Sequence, residues 1–164
     1  MRAQNDFRPV GHFKVEHIRD GKVIAEYEIP NGIVDAGLNH ILETEFHGGT
    51  QVTTWYFGLV DNAGFLAFAA GDTVLRHVGW VECVSYDEVN RPAWTAGAAT
   101  SRQITNASSV IFTISATKTI KGLFVASNNS KGGTAGTLWS TATFGSPVPF
   151  LDNDLLRVTY TING

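Results

Sequence analysis

The chain has 164 residues, with 12 Lys or Arg against 15 Asp or Glu for a formal net charge of −3, and a single cysteine. That length fits one domain, able to bury roughly 70% of the surface its unfolded chain exposes. The charge argues against nucleic acid as a main partner, the lone Cys83 rules out an internal disulfide, and no apolar run approaches the roughly 20 residues of a membrane helix.

Residues 1–11 read as an extended arm, holding Arg2, Arg8 and Pro9 without periodicity. Residues 1–6 lack the hydrophobic segment of a secretory signal, so synthesis and folding in a cytoplasm are expected. A hairpin follows, 12–19 and 22–29, reversing at Asp20-Gly21. A two-residue turn would set Phe13 opposite Glu28 and Val15 opposite Glu26, mixing apolar and charged side chains on one face. A three-residue turn with Gly21 left-handed pairs Phe13 with Tyr27, Val15 with Ala25, Lys14 with Glu26 and His12 with Glu28. That is the expected register. Asn31-Gly32 ends the strand. Val34, Leu38, Ile41, Leu42 and Phe46 then recur at helical spacing, which predicts a helix at about 35–47. Asp35 is its expected N-cap and Gly48-Gly49 its stop. Gly37 costs this helix about 1 kcal/mol relative to alanine, which close packing against a strand would explain.

The remainder reads as strands divided by turn chemistry, over 53–60, 78–86, 91–95, 110–115, 120–127, 137–144 and 155–162. Residues 96–106 and 128–136 read as loops, the second a flexible tip. Eight or nine strands and one helix predict a mainly β fold: an antiparallel β-sandwich, jelly-roll-like, in a single domain over residues 12–164.

The motif census yields no chemistry. His12 and His17 fall on opposite faces of a strand, His40 and His47 lie about two helical turns apart, and His77 stands alone. Polar surface histidines are the expected reading. Cys83, between Val81 and Val84, reads as a buried structural thiol. Asp152-Asn153-Asp154 lacks the glycine and distal glutamate of a calcium loop and reads as a turn. Residues 131–137 have the residue types of a phosphate loop but not its order. Glu43 and Glu45 diverge on the helix, and no G-x-S-x-G is present. No catalytic, cofactor-binding or metal-ligating residue is assigned, and a non-enzymatic protein without cofactor is expected.

One stretch stands apart. Residues 89–151 contain no aspartate or glutamate and only five cations, Arg91, Arg102, Lys118, Lys121 and Lys131. Freely solvated surface carries many charges of both signs, so this half implies surface covered by other protein. Strict alternation puts Trp139 with Thr141 and Thr143, opposite Leu138 and Phe144. An exposed tryptophan on a threonine-rich face suits an interface anchor or a sugar-stacking platform.

The segments Asn31-Gly32-Ile33-Val34-Asp35-Ala36-Gly37-Leu38-Asn39-His40-Ile41-Leu42, Thr54-Trp55-Tyr56-Phe57-Gly58-Leu59-Val60-Asp61 and Arg91-Pro92-Ala93-Trp94 are informative together, with Lys121-Gly122-Leu123-Phe124-Val125 and Gly132-Gly133-Thr134. They resemble the head decoration, or cement, proteins of tailed bacteriophages. The resemblance implies a virion protein on the capsid exterior that binds between major capsid protein subunits and stabilises the shell. A homo-oligomer, dimer or trimer, is expected. The arm around Phe7, Arg8, Pro9 and Val10 would reach across a neighbouring subunit, with Trp139, Thr141 and Thr143 as further partner contacts. The rival is a tail-fibre or receptor-binding module using Trp139 and the 128–136 loop on a host glycan. A third reading, a lytic or carbohydrate-active enzyme, would draw on Asp152 and Asp154.

Overall fold

The computed structural model describes residues 9–164, so the expected arm contacts of Phe7 and Arg8 lie outside the described residues. Ten strands and one helix follow in the order β1 (Val10–Arg19), β2 (Lys22–Ile33), α1 (Asp35–Phe46), β3 (Trp55–Asp61), β4 (Glu82–Cys83), β5 (Ala93–Trp94), β6 (Gln103–Thr105), β7 (Val110–Thr113), β8 (Lys118–Ala126), β9 (Leu138–Phe150) and β10 (Leu155–Asn163). All pairings are antiparallel. One layer is β2-β1-β10, with β6 and β7 both pairing β10. The other is β9-β8-β3, with β4 and β5 both pairing β3.

Strand β2 belongs to both layers: up to Pro30 it pairs with β1, and Asn31–Ile33 pair with Ala142–Ser140 of β9. The continuous hydrogen-bonded sheet therefore folds over at Pro30-Asn31 into an antiparallel β-sandwich. Phe13 of the first layer stacks on Tyr160 at 4.3 Å and meets Phe57 of the second edge-on at 5.6 Å. The second layer is also covered outside. Val60, Phe124, Ala126 and Leu138 pack under Val74 and Trp80, with Phe65 and Phe68 beside them. Burial on both faces explains why Leu123-Phe124-Val125-Ala126 reads as an unbroken apolar run. No helix among the described residues is long and apolar enough to cross a membrane.

The first hairpin corrects the expected register. Its turn is the two-residue Asp20-Gly21, both left-handed (φ 51° and 73°), with Arg19 opposite Lys22. The extra residue is a bulge at Ile24, between the pairs Ile18–Val23 and His17–Ala25. Beyond it Phe13 faces Ile29, Val15 faces Tyr27 and Lys14 faces Glu28, so the apolar pairs survive on one face. A slip of one residue would have turned the core face outward, and the bulge restores the parity without lengthening the turn. Glu16 then lies opposite Glu26, a repulsion relieved by Arg157 of β10, which bonds Glu16 at 2.6 and 3.0 Å.

Other segments depart from expectation for identifiable reasons. The strand expected over 78–86 reduces to two residues, because Gly79 is drawn into the neighbouring loop, where its carbonyl accepts from Leu66 N–H at 2.8 Å. The presumed loop 96–106 contains β6, which pairs with Thr161–Asn163. Strand β9 runs on to Phe150 through Pro147 and Pro149; β2 covers only residues 140–142 of it. Prolines suit an open strand edge because they offer no N–H for another strand to pair with.

Helix α1 matches its expected bounds, but its cap does not. Val34 occupies the N-cap without a side-chain bond, and Asp35 sits in the first turn, where its charge complements the helix dipole. Val34 N–H donates to the Trp139 carbonyl at 3.1 Å. The face toward the sheet is Val34, Gly37 and Ile41; Leu38, Leu42 and Phe46 are 39%, 57% and 82% exposed. The expectation of close packing at Gly37 holds, since an added Cβ would lie 2.5 Å from the Trp139 carbonyl oxygen. Gly37→Ala is therefore expected to destabilise the protein by roughly 1–3 kcal/mol in urea titrations, despite alanine's better helix propensity. Wild-type stability in that variant would show that the helix is not seated on β9.

Candidate functional site

Helix α1 seats Val34 and Gly37 against β9 and leaves a gap between its later turns and the neighbouring strand ends. Between His40, Ile41 and Thr44 of the helix and the ends of β3, β5, β6 and β10 lies a cleft of about 500 Å³. Three indoles shape it. Trp55 and Trp94 are cross-strand partners on β3 and β5, and Trp139 lies 5.8 Å from Trp55. His40 meets the Trp55 ring edge-on at 5.5 Å. Ile104 and Ile162, paired between β6 and β10, supply the apolar floor, and Gln51, Thr53 and Thr54 add a polar rim. A smaller apolar cleft of about 280 Å³ shares Ile41, Ile104, Trp139 and Ile162 and extends to Pro9.

Trp139 reaches this place through a bulge. The register of β9 against β8 shifts between Val125 (opposite Ser140) and Ala126 (opposite Leu138). Trp139 is the residue left over, and it joins the core cluster that holds Ala142 and Phe144. The exposed tryptophan expected from alternation is thus corrected: Trp139 is 6% exposed. Its Nε1–H donates to the Tyr160 hydroxyl at 2.8 Å, which also accepts from Asn31; Asn31 in turn accepts from Gly11 N–H at 2.9 Å. Burial pushes the Tyr160 phenol up to about 12, so it stays neutral.

The other expected contact residues are scattered. Thr141 is buried on the face carrying Phe124, while Thr143 is exposed and its hydroxyl donates to the Phe144 carbonyl at 2.9 Å. Pro9 is half-buried and Val10 exposed at the start of β1. Of this set the structure joins only Pro9 and Trp139, at the smaller cleft. The sequence reading passed over the pairing of Trp55 with Trp94; the apolar alternate Ile104 within the supposed loop was the available signal.

Elsewhere, polar groups bond to one another within the fold. His17 is buried, not a surface histidine as expected: its Nε2 donates to Asp154 Oδ2 at 2.6 Å. Asp154 belongs to the expected turn, with Asn153 left-handed at φ 68°. Cys83 is buried as expected, and burial raises its thiol pKa. Among the described residues no group of three His, Cys, Asp or Glu side chains is arranged to hold a metal ion. The 128–136 loop is not a free tip, because Arg91 donates to the Asn128 and Gly133 carbonyls at 2.9 Å each.

Four of the five cations of the acid-free half are tied to partners within the chain, though only Arg91 is buried. Arg91 pairs with Glu82 at 2.7 Å and Lys118 with Asp61 at 2.9 Å. Lys131 donates to the carbonyls of Tyr86 and Glu88 at 2.7 Å each, and Lys121 to that of Phe144 at 3.1 Å. Of the five, only the Arg102 side chain has neither an ion pair nor a hydrogen bond among the described residues. Comparison of the chain with protein-family models, curated proteins and solved structures finds no match.

Proposed function

We propose that this chain is a non-enzymatic structural protein of a tailed-bacteriophage virion, a capsid decoration protein that binds between major capsid protein subunits and stabilises the shell. One observation carries the reading: the half without carboxylates also ties four of its five cations to partners within the chain, Arg91 buried and the three lysines half-exposed. Docking such a surface strips water from few charges, and desolvating charge is one of the costs of forming a protein interface. Thr, Ser and Ala are cheap to cover, and Ile111 adds exposed apolar area on β7. The segment from β3 to β5 adds Leu66, Val78 and Val89, each more than three-quarters exposed.

A specific interface needs about 800 Å² from each partner. The resemblance in the helix and strand segments supplies the identity of the partner, and a homo-oligomer at the docking site belongs to the same proposal. Purified protein is expected to add stoichiometrically to capsid shells that lack it and to raise their melting temperature. Shells that take up none of it would overturn the proposal.

A further inference from the structure

We propose that the cleft between α1 and the β5–β6 rim is a binding site for a neutral, hydroxyl-rich ligand of the oligosaccharide class. This goes beyond capsid docking and does not depend on it. The cleft's volume of about 500 Å³ falls within the roughly 300–1,000 Å³ of small-molecule sites.

The walls and rim define the ligand. Trp94 and Trp139 have already committed their indole N–H groups, to Asn106 Oδ1 at 2.7 Å and to the Tyr160 hydroxyl at 2.8 Å. At 8% and 6% exposed they back the cleft as packed apolar wall and offer it no donor. Trp55 is half-buried, and its N–H has no acceptor among the described residues, so it presents a ring face and a donor together. An amphipathic ring of that kind suits the apolar C–H face of a sugar with a hydroxyl at its edge. Around it stand Glu45, Gln51, Thr53 and Thr54, whose side chains have no hydrogen-bond partner among the described residues. Hydroxyls and an amide both donate and accept, which matches sugar hydroxyls that do the same.

The same residues discriminate against other ligands. No lysine or arginine lines the larger cleft and one carboxylate does, so phosphates and acidic sugars meet repulsion without a compensating cation. A wholly apolar ligand would strand the rim groups without water or partner, at a cost for each. A cationic ligand would find one open indole face, Trp55, and one exposed carboxylate, Glu45, contacts worth about 1 kcal/mol or less each. A lone carboxylate also gives no acid–base pair for glycoside cleavage, which points to binding without turnover.

The test uses the full chain, titrated with neutral oligosaccharides (glucose, mannose, galactose and N-acetylglucosamine oligomers) and followed by tryptophan fluorescence and calorimetry. At least one series is expected to bind saturably and alter the indole emission. Trp55→Ala is expected to lose about tenfold or more in affinity, which corresponds to ~1.4 kcal/mol. Because the Trp55 ring also packs against Trp139, Gln51→Ala at the exposed rim provides a second variant, expected to bind several-fold more weakly at an unchanged melting temperature. The proposal is overturned if no neutral series binds at millimolar concentration, if choline or an acidic saccharide binds better, or if both variants bind like wild type.

Discussion

Replacing Asp154 with alanine is expected to lower stability by about 3–5 kcal/mol, the range for removing one partner of a buried charge cluster. Asp154 is 1% exposed and joins three parts of the chain. Arg19 donates twice, from Nε to Oδ1 at 2.8 Å and from Nη2 to Oδ2 at 2.7 Å; His17 and the Leu151 N–H complete the shell. These bonds tie the β9–β10 turn to β1. Their loss leaves His17 buried against the Phe150 ring without an acceptor. For a chain of this size the melting temperature would fall by roughly 6–20 °C.

The same cluster predicts an acid limb. Arg19's hydrogen bonds, more than any other contact, hold the Asp154 carboxyl far below the usual carboxylate range, against burial, which raises it. Its unfolded-state value is about 3.9. Below that value the unfolded chain binds a proton that the folded protein does not, so stability falls as pH drops toward the folded pKa. Above about pH 5 this contribution is complete and flat. Glu16, lowered chiefly by its bond to Arg157, adds a smaller loss with the same sign. Thermal denaturation at pH 7 and pH 3 is expected to show a larger drop for wild type than for Asp154→Asn. Equal drops would mean that the carboxylate is not the group being titrated.

Arg91→Ala is the second large effect, also about 3–5 kcal/mol. The guanidinium is 2% exposed, forks onto Glu82 at 2.9 and 2.7 Å, caps two carbonyls of the 128–136 loop and lies 5.1 Å from the Phe124 ring centroid. Its removal leaves the Glu82 carboxylate largely buried with only the Gly132 N–H to satisfy it. Arg91→Lys should recover little, because a single ammonium cannot match a planar fork and two carbonyls at once. Protease cleavage within 128–136 is expected to accelerate in Arg91→Ala. Replacing both partners, Arg91→Met with Glu82→Leu, should restore much of the stability while the loop stays labile. A loop as resistant as wild type would show that Arg91 does not hold it.

Elements with strong periodicity or unambiguous turn residues were readable in advance: α1, β3, β8, β10 and the reversal at Asp20-Gly21. The misreadings cluster where one extra residue changes the parity of a strand. Ile24 shifts the first hairpin, and Trp139 moves from an expected outer face into the core. Nothing in a window of ten residues marks either bulge, because each is selected by the strand opposite. The helix stripe failed for a related reason. Leu38, Leu42 and Phe46 have good helical spacing, but Gly37 lets β9 approach a different face.

By itself, then, the sequence determined the β class, the single helix among the described residues, the lack of carboxylates over 89–151, the burial of Cys83 and the 152–154 turn. These are local or compositional properties, and short-range sterics and burial preference are enough to produce them. The tertiary structure alone decided that Asp154 meets residues 135 and 137 positions away, that four scarce cations find partners within the chain, and that three tryptophans from separate strands line one cleft. Those outcomes depend on which faces close against each other, and the energy that selects them exists only once the two layers have packed.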